Sequence, residues 1–353
     1  MKFEVYSDKE ILEEILLESS KYQNWNNILK HHSDVYLNMS QTDYDLEIAL
    51  ADESILFQYL QDTGGKEPIP NEQFFIDFEA DNNIVEGKPL SAFFLKKDDA
   101  EINCLKEHFG LLFQNEKIDD DVLSEHFYWD FDKEFEYKDA SDNEGWSYFL
   151  NSYMKVSNVL VLNDPYLFDN PELIEKEYVQ TGSINLINFL NQILPSKLSV
   201  DYHLLIFTGN NKKDMSEAKT KSIYEFLCQE LKKIRSFNII LELIVSKDTL
   251  HRRRAYSNYA IYKCDQGFDL FSERKKNYPK TDNDLAIDNI FTSIKSKGSS
   301  VQFFDLVSKT QKIKLSTVKA LDNIKEAKVY RGERCHGLPP DYSIKNRLIN
   351  HFP

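Results

Sequence analysis

The chain of 353 residues has little of the usual structural punctuation: 11 glycines, 10 prolines and four cysteines. Cys104, Cys228, Cys264 and Cys335 are scattered without CxxC spacing, which excludes a zinc knuckle and gives no disulfide framework. That usage suits a reducing cytoplasm. No apolar run approaches 18 residues, and no basic-then-apolar segment opens the chain, so neither a membrane-spanning helix nor a secretory signal is expected. G-x-x-x-x-G-K-[ST], G-x-G-x-x-G, G-x-S-x-G and HExxH are all absent. Their absence lowers the prior for phosphate loops, dinucleotide-binding turns, hydrolase elbows and zincins. Arginine is missing from the first 234 residues.

That last absence is part of a charge split. Residues 1–150 hold 12 lysines against 35 acids, a net of −23, whereas residues 151–353 hold 31 lysines and arginines against 23 acids, a net of +8. The arginines cluster at Arg252–Arg254 and at Arg331 and Arg334. A guanidinium is planar, forked and always charged, so it suits phosphate and carboxylate recognition. A −23 half repels nucleic acid and anionic lipid, and a +8 half attracts them. The opposing reading is that the two charges help the halves dock, or are solvated surface. Both stay open at this level.

The hydrophobic pattern alternates between helical and strand-like segments. Residues 8–30 read as one helix, with Asp8 at the cap and Ile11, Leu12, Ile15 and Leu16 on one face. Strand-like runs follow at 34–39, 89–95 and 110–113, with helical periodicity at 43–62 and from 100 to about 109. Residues 114–145 are acidic with interleaved aromatics and read as an ordered connection, with a domain boundary near 145–152. Beyond it, strands at 156–162, 203–207 and 238–245 alternate with helices at 183–194 and 215–235, and 256–263 alternates like one more strand. The fold class is therefore α/β, with domains at 1–150 and 151–353 and a mostly parallel second sheet covered by helices on both faces. The basic tail from Lys309 is hard to assign.

Two segments of the second half stand together chemically: Val159-Leu-Val-Leu-Asn-Asp164-Pro165-Tyr166, and His251-Arg252-Arg253-Arg254 with Asn258, followed by Gly267-Phe268-Asp269. The second resembles a degenerate H-x-K-x4-D motif of the phospholipase D superfamily, with His251 on the His, Arg253 on the Lys and Asn258 on the Asp. It is closer still to the phospholipase D-like C-terminal domains of MIT-domain proteins, and the resemblance would cover about 155–275. It implies a His251 nucleophile on a phosphodiester, Arg253 holding phosphate and Asn258 orienting the imidazole. Arg252, Arg254, Arg331 and Arg334 would be further phosphate ligands. Asn258 cannot stabilise an imidazolium as a carboxylate would, so catalysis should suffer. The chain carries one such motif, so an active site would need a homodimer. The plainer reading is that His251 and the arginines cap a strand end and pair with acids such as Asp248 and Asp269.

In the first half, Asp34 opens a strand-like run, Asp98 and Asp99 follow another, and Asp77 lies between them. Acids at strand ends are a usual way to hold Mg²⁺ or Mn²⁺. The layout loosely resembles a PIN-like ribonuclease domain over about 30–115, which implies a metal site at Asp34, Asp77, Asp98 and Asp99. An acidic solvated surface is the alternative. His31-His32 and Cys335-His336 lack spaced partner ligands and read as surface residues. The expectations are thus a cytoplasmic protein that binds or cleaves nucleic acid through its phosphates, in a bacterial antiviral defence or toxin setting by analogy. The alternative is a non-catalytic dimerising module that binds a protein partner or anionic lipid headgroups.

Overall fold

A computed structural model describes residues 3–130, 145–150, 155–169, 172–174, 177–179, 181–209, 215–247, 250–272, 278–280, 284–292, 302–322, 328–331 and 344–351. It is an α/β structure with two main sheets. The first comprises β1 (Phe3–Asp8), β2 (Ser33–Asn38), β3 (Ile69–Pro70), β4 (Ser91–Phe94) and β5 (Leu112–Gln114), all parallel, in the order β3-β2-β1-β4-β5. Helices α1 (Lys9–Leu17), α2 (Gln23–His31), α3 (Gln41–Ala49), α4 (Ile55–Asp62), α5 (Glu72–Ala80) and α6 (Asp99–Phe109) connect its strands. The sheet core is aromatic, with Tyr6, Phe78, Phe93 and Phe113 stacked across it.

Two expected helices are divided. In the segment 8–30, Asp8 is the last residue of β1, whose Phe3, Val5 and Tyr6 are buried, and the helix breaks where Lys21 and Tyr22 N–H groups both turn back to the Glu18 carbonyl. Asp120 then accepts the backbone N–H groups of Asn24 and Trp25, so a side chain about a hundred residues away starts α2. Similarly, 43–62 breaks at Ala51, which has φ +50°, and restarts where Ser54 caps the Phe57 N–H at 3.2 Å.

The chain passes to the second sheet between β5 and β6 (His126–Asp130), ahead of the boundary read from composition. Next come α7 (Trp146–Leu150), β7 (Val159–Asp164), the small hairpin β8 (Glu172–Ile174) and β9 (Glu177–Val179), and α8 (Thr181–Ile193). They are followed by β10 (Tyr202–Gly209), α9 (Glu217–Ile234), β11 (Ile239–Ser246), β12 (Arg254–Ser257) and β13 (Ala260–Cys264). The remaining elements are β14 (Phe271–Ser272), β15 (Tyr278–Pro279), β16 (Asp284–Asn289), α10 (Gln302–Asp322), β17 (Lys328–Arg331) and α11 (Arg347–His351). The sheet order is β17-β11-β10-β7-β12-β13-β16-β6. Only β7, β10 and β11 run parallel, so the sheet is mixed rather than mostly parallel. The single strand expected at 256–263 is the hairpin β12–β13, and the basic tail supplies α10.

The sheets meet at the amino ends of their parallel strands. Tyr259 Oη donates to the Ser91 carbonyl at 2.7 Å and accepts from the Leu112 N–H at 2.9 Å. Asn158 donates to the Phe109 carbonyl at 2.8 Å. Gly110 has φ +60°, and a Cβ there would lie 2.3 Å from the Ser157 carbonyl oxygen, so the joint closes only around glycine. Both carboxyl edges, where α/β sheets place ligands, consequently lie away from the joint.

Candidate anion-binding site

The site is built at the carboxyl end of β7, beside the amino end of its antiparallel neighbour β12. β7 finishes in two buried polar residues, Asn163 and Asp164. Asn163 Nδ2 donates to the carbonyls of Leu250 at 2.9 Å and Arg252 at 2.5 Å, fixing the approach to β12. Its Oδ1 is buried without a hydrogen-bond partner. Asp164 accepts the N–H groups of Tyr166 at 3.0 Å and Phe268 at 2.8 Å. Burial pushes its carboxyl up to about 6, against the pull of those two N–H groups and of Arg253.

Arg253 Nε lies 4.0 Å from Asp164 Oδ1, and its guanidinium stands 4.8 Å over the Tyr166 ring and donates to the Asp265 carbonyl. Gly267 makes this close approach feasible: at φ +99°, its absent Cβ would sit 2.6 Å from Asp164 Oδ2. The Asp-Pro-Tyr run, Arg253 and the Gly-Phe-Asp run therefore do assemble. Asp269 holds Lys280 at 2.7 Å and Asn185 at 3.2 Å.

Around the exposed face of this framework lies a pocket of about 180 Å³ between the sheet and α10. Its wall carries His251, Arg252, Lys309 and Lys312, and the buried Asn163 contributes to its lining. Lys309 and Lys312 are one turn apart on α10, so they share a face. Burial lowers the Lys309 ammonium from its usual range, and Arg252, Lys312 and Arg254 push the same way against Asp305. Among the described residues no carboxylate lines the pocket or pairs with Arg252, Lys309 or Lys312. Such a cluster suits an anion with several oxygens.

Of the residues expected to act together, His251 and Arg253 lie near the amino end of β12, but Asn258 does not. Asn258 follows the carboxyl end of β12, about 13 Å along a strand that rises about 3.3 Å per residue. There it is fully buried, donating to the Pro89 carbonyl at 2.8 Å and to Asn158 Oδ1 at 3.0 Å and accepting from the Asn158 N–H at 2.9 Å. The triad read from spacing is thus not assembled, because an extended strand separates its ends. Arg254 pairs with Asp305 instead of facing an anion. Arg331 lies on β17 at the outer edge of the sheet, in register with Glu242, and Arg334, Asp248, Cys335 and His336 fall outside the described residues. Sequence reasoning does not single out Lys309 and Lys312, although their i, i+3 spacing is a readable signal.

The four carboxylates expected to hold Mg²⁺ or Mn²⁺ do not converge. Asp34 sits near the amino end of β2, on the joint side of the first sheet. Asp98 lies past the opposite end, where it caps α6 in a reciprocal capping box with Glu101. Asp99 holds Lys117 and Asn115, and Asp77 accepts from Gln73 one turn earlier on α5. Among the described residues no three His, Cys, Asp or Glu side chains form a metal-ligating group. The residues therefore do not fit the expected ion. The carboxylate that does stand at the crossing between β1 and β4 is Asp8, bonded to Asn38 Nδ2 and the Lys96 N–H, both at 2.6 Å. By sequence it reads only as a helix cap.

The chain matches no protein-family model and no curated protein. Among the described residues no helix is long and apolar enough to cross a membrane. The geometry of the cationic pocket is therefore what bears on function.

Proposed function

We propose that this protein binds phosphate groups of nucleic acid at the carboxyl edge of its second sheet, with Arg252, Lys309 and Lys312 as ligands and His251 at the rim. One observation carries the reading: these cations surround one concave pocket to which no described carboxylate contributes. Phosphate contacts of this kind fix a strand's position without reading its sequence. Arg253, held between Asp164, Tyr166 and the Asp265 carbonyl, positions the loop that carries Arg252. The separation of Asn258 from His251 supports binding over phospho-His cleavage.

The test is fluorescence anisotropy of a labelled single-stranded oligonucleotide at several salt concentrations, for the native chain and for Arg252→Ala/Lys309→Gln/Lys312→Gln. Each lost phosphate contact on a single strand should lower the salt slope by about 0.7, so the triple variant should lose about 2. An unchanged affinity and slope would overturn the proposal. Binding confined to anionic vesicles would assign the site to lipid headgroups instead.

A further inference from the structure

The structure points to a more specific ligand for this pocket, on the phosphate-binding reading just given. We infer that it takes a phosphate monoester, the terminal phosphate of a strand or of a free nucleotide, rather than a phosphodiester within a strand. Two observations converge on this.

The first is size. At about 180 Å³ the pocket is smaller than the roughly 300 Å³ from which small-molecule pockets usually start. A phosphate group fits, and a nucleoside does not, so the rest of the ligand stays outside.

The second is charge. Arg252, Lys309 and Lys312 put up to three positive charges around one small volume to which no described carboxylate contributes. A monoester carries about −1.5 to −2 at pH 7. A diester carries about −1, as each strand phosphate does.

The experiment compares one internally labelled 12-nucleotide strand in three forms: 5′-phosphorylated, 3′-phosphorylated, and with hydroxyls at both ends. Unlabelled nucleoside monophosphate serves as competitor. At least one phosphorylated form should bind ten times more tightly than the hydroxyl form. Arg252→Gln and Lys312→Gln, both at exposed positions, should bring the forms within twofold of each other while leaving the unfolding midpoint unchanged. Competition by the monophosphate at equal affinity supports the monoester and identifies the free nucleotide as sufficient; weaker competition supports it as a strand end. Equal binding of all three forms, weakened in both variants, would overturn the monoester inference and leave phosphate binding standing. A terminal preference that survives both variants would overturn it by placing that preference elsewhere. No binding of any form at low salt would overturn both readings.

Discussion

Asn258 separates the structural reading from the resemblance most sharply. In a phospholipase D-like site it would stand where an acid orients the histidine, and Asn258→Asp would restore the missing carboxylate. In the structure it is buried at the joint between the sheets, with three hydrogen bonds to Asn158 and Pro89. Its removal in Asn258→Ala loses three bonds at about 1 kcal/mol each. It also leaves the Asn158 N–H and the Pro89 carbonyl dry, so the expected loss of stability is about 3–5 kcal/mol. Asn258→Asp keeps the acceptor for the Asn158 N–H but loses both donors and directs a carboxylate at two oxygens. It should destabilise at least as much as alanine. Urea unfolding followed by tryptophan fluorescence measures both, since the chain has three tryptophans. A loss below about 1 kcal/mol for Asn258→Ala, or a gain of phosphodiester cleavage in Asn258→Asp, would refute this account.

Two further predictions concern the framework beneath the pocket. Gly267→Ala places a methyl 2.6 Å from Asp164 Oδ2 in a backbone region that side chains disfavour, so it should lower stability by about 1–3 kcal/mol and weaken oligonucleotide binding. Native-like binding in a stably folded Gly267→Ala would show that Asp164 and Arg253 do not position Arg252. The second prediction is of opposed pH dependences. The Asp164 carboxyl is raised from 3.8 to about 6, so its protonated form is favoured by the fold and its contribution to stability falls as pH rises from about 4 to 6. The His203 imidazole is lowered from 6.5 to about 4 by burial and by Arg347, so its contribution falls as pH drops through the same window. Removing the carboxyl in Asp164→Asn leaves the histidine unopposed. Relative to that variant, the native chain should gain about 3 kcal/mol between pH 6.5 and 4, because moving a carboxyl's titration by one pH unit is worth about 1.36 kcal/mol. Parallel urea-unfolding profiles for the two proteins would contradict this.

How far the sequence can be read depends on how local each determinant is. β7, β10 and β11 are legible because strands buried on both faces show near-continuous apolar runs. β1 is missed because its six residues run directly into α1 with no turn signal between them, so the helical reading starts at Asp8 and leaves Phe3–Ser7 unassigned. At the site, the arginine cluster is visible, but which of its members are available is not. That is decided by Asp305, which takes Arg254, and by Asp164, Tyr166 and Asp265, which hold Arg253. The H-x-R-x4-N spacing misleads for a geometric reason. Six residues, the last four of them an extended strand, separate the two and carry Asn258 to the far edge of the sheet, whereas His251 stays at the near one.

The charge split takes on a definite meaning once the joint is located. If opposite charges docked the two halves, ion pairs should fill the contact. Its centre is instead neutral, made by Asn158, Asn258, Tyr259 and backbone groups of Pro89, Ser91, Phe109 and Leu112. Among the described residues, Lys197 with Glu107 crosses it as an exposed pair worth little, and Arg347 with Glu86 joins a largely buried guanidinium to a half-exposed carboxylate. Lysines of the first half find acids nearby in that half, as Lys9 does with Glu47 and Lys97 with Glu79. Counted from β6, where the second sheet begins, residues 126–353 hold 33 lysines and arginines against 30 acids, a net of +3, and among the described residues little of that charge is neutralised at the joint. Arg252, Lys309 and Lys312 stand at the edge turned away from it. On the proposed reading, an anion is repelled by the acidic end and directed by the local cluster of Arg252, Lys309 and Lys312 toward the pocket under α10.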